Sequence, residues 1–126
     1  MHVKIKDIKF SSPILTASGT FGYGHEVQNM VDVNELGGII TKSVTRHPRE
    51  GNPPPRIAET KSGMLNSIGL ANLGVEKYCS EINPFLNELE TKVIINIAGT
   101  AMDDYLETLE ILEVAKGNQV GYEINI

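Results

Sequence analysis

Cysteine is almost absent from the sequence, since Cys79 is the single one among 126 residues. One thiol cannot form an internal disulfide, and it excludes every metal site built from clustered cysteines. Cys79 also falls on the apolar side of a predicted helix, where a free cysteine usually packs as a small hydrophobic residue. We therefore expect a protein of a reducing compartment, with no metal site.

Long apolar runs and an excess of basic residues are missing as well. No stretch approaches the roughly 18 consecutive apolar residues of a transmembrane helix, and the N-terminal MHVKIKDIKF lacks the apolar core of a secretory signal. The formal net charge is −5, which argues against nucleic acid because phosphate binding requires clustered Lys and Arg. These absences favour a cytoplasmic protein that binds neither a membrane nor a nucleic acid.

Basic residues are nevertheless concentrated in one stretch. Five of the eleven lie between positions 42 and 61, namely Lys42, Arg46, Arg49, Arg56 and Lys61. Two interpretations remain open, a solvated loop or the mouth of a site for an anionic ligand.

Short apolar runs predict the β-strands. The segment 3–10 alternates apolar and polar residues around Lys6-Asp7, as in a small hairpin. Four further runs, rich in Ile and Val and without strict alternation, are typical of parallel strands buried on both faces: PILTASG at 13–19, GGIITKS at 37–43, KVIINIAG at 92–99 and VGYEINI at 120–126.

Helical periodicity fills the intervals between these runs. An apolar stripe over 75–89 predicts a helix in which Pro84 begins a second short helix, because an interior proline would lose a hydrogen bond. Another helix is predicted over 101–116, starting at a capping box of Thr100 and Asp103. Its expected buried side consists of Tyr105, Leu106, Leu109, Leu112 and Ala115. A weaker helical pattern covers 25–31.

The alternation of strands and helices predicts βαβ units and a parallel sheet. We expect an α/β fold, a TIM (β/α)8 barrel, of which residues 1–126 cover the N-terminal half of a single domain. This half holds roughly the first four βα units after the hairpin, since a whole barrel takes about 250 residues. An open doubly wound sheet is the alternative, although the glycines of GTFGYG do not form a GxGxxG turn between strand and helix. The final YEINI resembles the middle of a strand, so we expect the barrel to continue beyond Ile126.

Ligands of such barrels bind where the strands end, and polar residues follow each apolar run. They are Ala17, Ser18, Gly19, Thr20, Lys42, Ser43, Asn96, Glu123 and Asn125. Lys42 is the most informative, because a lysine that ends an apolar strand is costly to desolvate unless it meets an anion or a polarisable ring. A ligand contact and a structural ion pair both remain open for it.

The segment 45–73 shows little periodicity and is dense in Gly, Pro and Asn. A loop of this length inside a compact domain usually serves function, often as a lid or a binding loop. Asn66 begins the string NSIGL, whose backbone N–H groups could hold a carboxylate; a plain turn is the rival interpretation.

Four strings in this order and spacing carry a resemblance to a known family: ASGTFGYG, TKSVTRHPREGNPPPR, MLNSIGLANLG and IINIAGT. Over nearly its whole length the chain resembles the class 1 dihydroorotate dehydrogenases of pyrimidine synthesis. GTFGYGHE and RIAETKSGML are more similar to the NAD-linked subclass, in which an FMN subunit works with a second protein that carries FAD and a [2Fe-2S] cluster.

The resemblance implies a role for particular residues. Ala17, Ser18, Gly19, Lys42, Ser43, Asn96 and Asn125 match family positions that contact FMN. Lys42 and Asn66, with backbone groups of Ile68, Gly69 and Leu70, match positions that hold the orotate ring and carboxylate. In such enzymes a base removes the C5 proton of dihydroorotate while hydride leaves C6 for the flavin, and Lys42 would stabilise the negative charge. The resemblance also implies a homodimer.

The family pattern also implies that the base itself lies outside these residues. In the family, the equivalent of EIN continues into a Ser-Cys-Pro-Asn loop that supplies a cysteine base, whereas the sequence ends at Ile126. Cys79 is not that cysteine. Two alternatives stay open beside the dehydrogenase: a noncatalytic half-barrel or association module, and a related FMN barrel acting on a free pyrimidine base.

Overall fold

The computed structural model describes residues 2–126 as seven strands and three α-helices. The strands are β1 (Val3–Ile5), β2 (Ile8–Phe10), β3 (Gly38–Ile40), β4 (Ile57–Thr60), β5 (Gly63–Asn66), β6 (Lys92–Ala98) and β7 (Gln119–Asn125). The helices are α1 (Val75–Lys77), α2 (Asn83–Asn87) and α3 (Met102–Ala115), and a π-helical turn, Tyr78–Ile82, joins α1 to α2. Single 3-10 turns lie at His25–Val27 and Val33–Glu35.

A parallel sheet forms the centre of the fold, with the order β3-β6-β7. Each connection between these strands contains helix, so the predicted βαβ arrangement and the α/β class are confirmed. The predicted strand at 13–19 is reduced to a single parallel bridge from Leu15 to Gly38. Pro13 has no N–H for a ladder, and the Thr16 hydroxyl takes a ladder position by accepting from Ile40 N–H at 2.9 Å. That these residues contain four complete βα units stays a prediction.

The side chains of β6 divide between two faces of the sheet, as the period of two in a strand requires. Val93, Ile95 and Ile97 pack into the hydrophobic core, together with Tyr78 and Leu86 of the helical layer. The alternate face carries Asn96 and Ala98, which are also buried. The sheet is therefore covered on the helix side, and its other face buries the amide of Asn96 among smaller and apolar side chains.

The helix over 75–87 largely follows the prediction. Pro84 lies in the first turn of α2, as expected, but the preceding turn is π-helical and not a break. The wider turn lets the chain continue without the hydrogen bond that Pro84 cannot donate.

Helix α3 differs from the prediction in its cap and in its buried side. Asp104, not Asp103, caps the helix by accepting from Thr100 N–H at 2.8 Å and from Ala101 N–H at 3.1 Å. Thr108 is fully buried because its hydroxyl donates to the Asp104 carbonyl at 2.6 Å, whereas Leu106 is 51% exposed. Ala115 is exposed as well, and Tyr105, Leu109 and Leu112 face the core as expected.

Two antiparallel hairpins project from the sheet. The first, β1-β2, turns at Lys6-Asp7 as predicted, with Lys6 at a positive φ of 50°. The second, β4-β5, lies within the segment that we expected to be a loop. No helix among residues 2–126 is long and apolar enough to cross a membrane.

Candidate functional site

A cavity of about 650 Å³ opens where β3 and β7 end. Its walls come from three places: the chain after the Leu15 bridge, the ends of β3 and β7, and the loop that follows β5. The lining residues are Ser18, Gly19, Thr20, Gly22, Lys42, Ser43, Asn66, Ser67, Ile68, Gly69, Leu70, Ala71 and Asn125. The volume is within the range of about 300–1,000 Å³ that is usual for small-molecule sites.

Most of the predicted site residues meet at this cavity. Ser18, Gly19, Lys42, Ser43 and Asn125 lie on the side of the sheet, and Asn66, Ile68, Gly69 and Leu70 lie on the side of the loop. Three predicted residues do not line it, namely Ala17, Asn96 and Glu123. Ala17 forms the turn beneath, where its carbonyl accepts from Thr20 N–H at 3.1 Å. Asn96 is buried two register pairs deeper in the sheet than Asn125, where it pairs with Glu123.

Lys42 is half-buried in the cavity wall, two residues after β3 ends. Its backbone N–H donates to the Gly22 carbonyl at 2.8 Å, which fixes the point where its side chain leaves the chain. The ion pairs formed among residues 2–126 involve His25 and Arg46, not Lys42. The alternative of a structural ion pair therefore finds no support in this part of the chain.

The other basic residues of 42–61 do not gather at the cavity. Arg46 binds Glu107 at 2.9 Å and Glu76 at 3.4 Å, so its charge is compensated by the helices. Arg56 donates to the Glu50 carbonyl at 2.8 Å and thereby braces its own loop. The interpretation of this stretch as a basic mouth finds no support at this cavity, because of these five cations only Lys42 lines it.

Hydrogen bonds at the carboxyl ends of β3 and β7 fix the polar side chains beside the cavity. Asn125 donates to the Ser43 hydroxyl at 3.3 Å, which ties the end of β7 to the end of β3. The Tyr105 hydroxyl donates to the Asn125 carbonyl at 2.6 Å, so α3 fixes the backbone at the same point. Asn125 is thus held from two elements before any ligand binds.

Asn96 has an unusual environment for an amide. It is 2% exposed, its Nδ2 donates to the Glu123 carboxylate, and its Oδ1 has no partner among residues 2–126. A buried acceptor without a donor costs roughly 1–3 kcal/mol. Asn96 therefore has capacity for one more hydrogen-bond donor.

The loop after β5 is anchored by Asn72, a residue that the sequence did not single out. Asn72 is 8% exposed; its Oδ1 accepts from Gly74 N–H at 2.8 Å and its Nδ2 donates to the Leu70 carbonyl at 2.7 Å. Gly22, Ser67 and Ala71 also line the cavity without having been predicted. Ser67 and Ala71 are adjacent to predicted residues, and Gly22 lies two positions after Thr20, whereas the Asn of ANLG has no distinctive signal in the sequence.

Cys79 lies away from the cavity, in the π-helical turn. Burial raises the pKa of its thiol above the ordinary value, and the nearby charge of Glu76 adds to the effect. The neutral thiol is a poor base and a poor nucleophile. This environment agrees with a packing role. Among residues 2–126 no group of His, Cys, Asp and Glu is arranged to hold a metal ion.

Comparison with known proteins places the chain in a family. The family model for dihydroorotate dehydrogenase matches residues 1–126. The chain is 49% identical over 117 residues to the dihydroorotate dehydrogenase B (NAD(+)) catalytic subunit of Thermodesulfovibrio yellowstonii, covering 93% of this chain and 39% of the relative. It is 44% identical over 126 residues to the protein of the same name from Geotalea daltonii, covering 100% of this chain and 41% of the relative. The chain spans about two fifths of the length of these relatives, and it belongs to the dihydroorotate dehydrogenase family.

Proposed function

We propose that the protein containing residues 1–126 oxidises (S)-dihydroorotate to orotate in pyrimidine synthesis, with FMN as the hydride acceptor. Residues 1–126 would form the N-terminal half of one FMN-binding TIM-barrel domain in the cytoplasm. Electrons would pass to NAD through a partner subunit that carries FAD and a [2Fe-2S] cluster, and the catalytic subunit would form a homodimer. The relatives' names support the reaction and the NAD linkage.

One observation carries the proposal: the half-buried Lys42 lines the cavity opposite the 66–71 loop and has no ion pair among residues 2–126. A cation in a partly desolvated wall is stabilised by an anionic ligand or by negative charge that develops during a reaction. Dihydroorotate supplies both, since it carries a carboxylate and loses a proton next to a carbonyl group.

The residues present fit the ring system of FMN. Hydroxyl and amide groups of Ser18, Ser43 and Asn125 border the cavity, and a side chain added at Gly19 would meet nothing within 4 Å, which leaves room for a flat ring. Asn96 does not line the cavity, but its buried Oδ1 has no donor among residues 2–126, which supports it as a proposed contact of FMN from beneath the cavity floor. When bound, FMN accepts the hydride that leaves the substrate.

The chain's own residues then divide the remaining tasks. The Lys42 ammonium holds negative charge at the boundary between flavin and substrate. Asn66 and the backbone of Ile68, Gly69 and Leu70 hold the substrate from the opposite wall and orient its ring. Orientation by fixed groups lowers the barrier, because the entropy of alignment is lost on binding and not during the reaction.

The test is Lys42→Ala in the complete gene product, with Lys77→Ala as the matched control because Lys77 is an exposed lysine of α1. We expect Lys42→Ala to lower kcat/KM for dihydroorotate about 100-fold or more, as for the loss of a group that stabilises developing charge, with an unchanged melting temperature. Lys77→Ala should retain wild-type kinetics. Activity of Lys42→Ala within a few-fold of wild type would show that the assigned role is wrong.

A further inference from the structure

The loop that forms one wall of the cavity has a second segment behind it. Residues 66–71 line the cavity, and residues 49–56 run antiparallel to them on the other side. Arg49 and Asn72 exchange backbone hydrogen bonds of 3.0 and 2.9 Å, and Ser67 N–H donates to the Arg56 carbonyl at 2.8 Å. The 49–56 segment therefore acts as the support of the substrate wall.

Asn52 makes the central contacts of this support. Its backbone N–H donates to the Ile68 carbonyl at 3.0 Å. Its side-chain Nδ2 donates to the Ser67 carbonyl at 3.1 Å and to the Ser67 hydroxyl at 2.6 Å. Asn52 itself does not line the cavity. One residue thus holds two successive carbonyl groups of the wall from behind.

The orientation of these carbonyls determines where the N–H groups point. In a planar trans peptide the C=O and N–H bonds point in opposite directions, and neither peptide bond here is cis. Because Asn52 draws the carbonyls of Ser67 and Ile68 toward itself, the N–H groups of Ile68 and Gly69 point away from it. Successive N–H groups turned to one side form a concave site for an anion.

Two glycines make the close approach of the segments possible. Gly51 and Gly69 have positive φ values of 79° and 77°. A Cβ on Gly51 would lie 2.2 Å from the Ile68 carbonyl oxygen, and one on Gly69 would lie 2.7 Å from Asn52 N.

The N–H groups of Ile68 and Gly69 take no part in the hydrogen bonds formed among residues 2–126. They remain available as donors.

We propose that Asn52 is a positioning residue that turns the N–H groups of Ile68 and Gly69 into the cavity, where they bind the carboxylate of the ligand. The identity of that ligand as dihydroorotate or orotate rests on the proposed function. Asn52 acts through the backbone of its neighbours and touches neither substrate nor cofactor.

The test compares orotate with uracil, which has the same ring without the carboxylate. Calorimetric titration of the complete gene product measures both dissociation constants for wild type, Asn52→Ala and Asn29→Ala, the last being an exposed asparagine outside the cavity. We expect Asn52→Ala to weaken orotate binding roughly tenfold, because the Ser67 carbonyl loses its side-chain donor and the Ile68 N–H is no longer held toward the carboxylate, while the backbone bond from residue 52 to the Ile68 carbonyl remains. Uracil binding should stay at the wild-type value, and Asn29→Ala should change neither.

The outcomes separate the two proposals. If wild type binds orotate but Asn52→Ala binds it equally well, or weakens both ligands alike, the role of Asn52 is overturned while the proposed function stands. If wild type does not bind orotate at all, both are overturned. Should Asn52→Ala fail to fold, NMR of the wild type decides: orotate, but not uracil, must shift the amide signals of Ile68 and Gly69 downfield, and unshifted signals overturn the proposal.

Discussion

At the scale of single residues, Asn66 is the side chain whose substitution best tests whether the loop wall of the cavity binds the substrate and not the flavin. It ends β5 and lines the cavity with the loop that follows, whereas Ser18 and Ser43 line it from the turn after the Leu15 bridge and from the chain after β3. We predict that Asn66→Ala in the complete gene product raises KM for dihydroorotate or lowers kcat about tenfold, as expected for one hydrogen bond to a charged ligand. Flavin content should not change.

Steady-state kinetics and the ratio of flavin to protein absorbance measure this directly. Ser62→Ala, in the turn between β4 and β5, is the control and should resemble wild type. If Asn66→Ala lost its flavin, the loop would have to lie against the cofactor and not the substrate.

A second residue-scale feature is the buried Tyr23. It is 4% exposed, its hydroxyl has no partner among residues 2–126, and its ring lies 5.7 Å from that of Tyr78. Burial raises the pKa of Tyr23 to about 12, and the charge of Glu26 adds to the effect. Burial raises the pKa of Tyr78 as well. Both rings must therefore stay neutral in the folded protein.

This predicts a loss of stability in alkali. The folded protein keeps the Tyr23 proton up to about pH 12, whereas the unfolded chain releases it near pH 10, so the free energy of unfolding is unaffected below pH 10 and falls as pH rises to 12. Two pKa units correspond to about 3 kcal/mol, of which roughly 2 kcal/mol is lost by pH 11.5, still below the folded pKa of about 12. Urea unfolding at pH 9.5 and pH 11.5 measures it. Tyr23→Phe should show a clearly smaller drop, and an equal drop would contradict the assignment.

At the scale of elements, the start of α3 depends on Asp104. Hydrogen bonds from Thr100 N–H, from the Thr100 hydroxyl and from Ala101 N–H lower the pKa of its carboxyl below the ordinary value. A lowered pKa stabilises the folded state above the ordinary carboxyl pKa, and this contribution is lost as pH falls through the folded value. The cap is therefore fully effective at neutral pH.

We predict that Asp104→Ala lowers the urea midpoint of unfolding at pH 7, and that its difference from wild type shrinks below pH 4. Asp103→Ala, which removes an equally close charge but no hydrogen bond of the cap, is the control. Equal effects of the two substitutions would show that helix-dipole charge, and not capping geometry, stabilises this end.

Elements with a strong pattern were predictable and those without one were not. The turn of β4-β5 is formed by Lys61-Ser62, which is not an Asn-Gly or Asp-Gly pair, so the turn residues carry no sequence signal for a hairpin. Its strands are exposed on both faces, and alternation of burial could not mark them. The Thr108 hydroxyl is hydrogen-bonded within its own helix, so this polar residue can be buried. Leu106, which we expected on the buried side, is exposed.

For the site, the position of residues at strand ends was the informative part of the sequence. From it we could predict that Lys42, Ser43 and Asn125 share one cavity, because parallel strands end at one edge of the sheet. It could not show that Arg46 is occupied by glutamates of two helices, since those contacts span 30 and 61 positions. Nor could it identify Asn52, whose effect is exerted through the peptide groups of another segment.

At the scale of the whole molecule, apolar side chains remain uncovered at both sides of the sheet. Ile14 is 61% exposed and Ile124 is 53% exposed. Leaving four such side chains uncovered forfeits about 6–12 kcal/mol, which is comparable with the stability of a small domain. The polypeptide of residues 1–126, expressed by itself, should therefore self-associate or remain loosely packed, without bound flavin and without dihydroorotate oxidation.

Gel filtration, near-UV circular dichroism and a flavin absorbance scan together test this expectation. A single monomeric peak with a near-UV spectrum would show that the exposed edges are tolerated. A yellow and active monomer would further overturn the placement of the base outside residues 1–126.

The order of the sheet has a consequence for synthesis on the ribosome. The bridge at Leu15, β3, β6 and β7 are neighbours in space in the same sequence as along the chain. Each strand of this sheet therefore pairs with one that was synthesised before it, and no strand has to wait for a neighbour from further along these residues. The longest segment to be closed lies between β3 and β6, yet each doubling of a loop costs only about 0.6 kcal/mol, so this long connection is a small burden on the order of assembly.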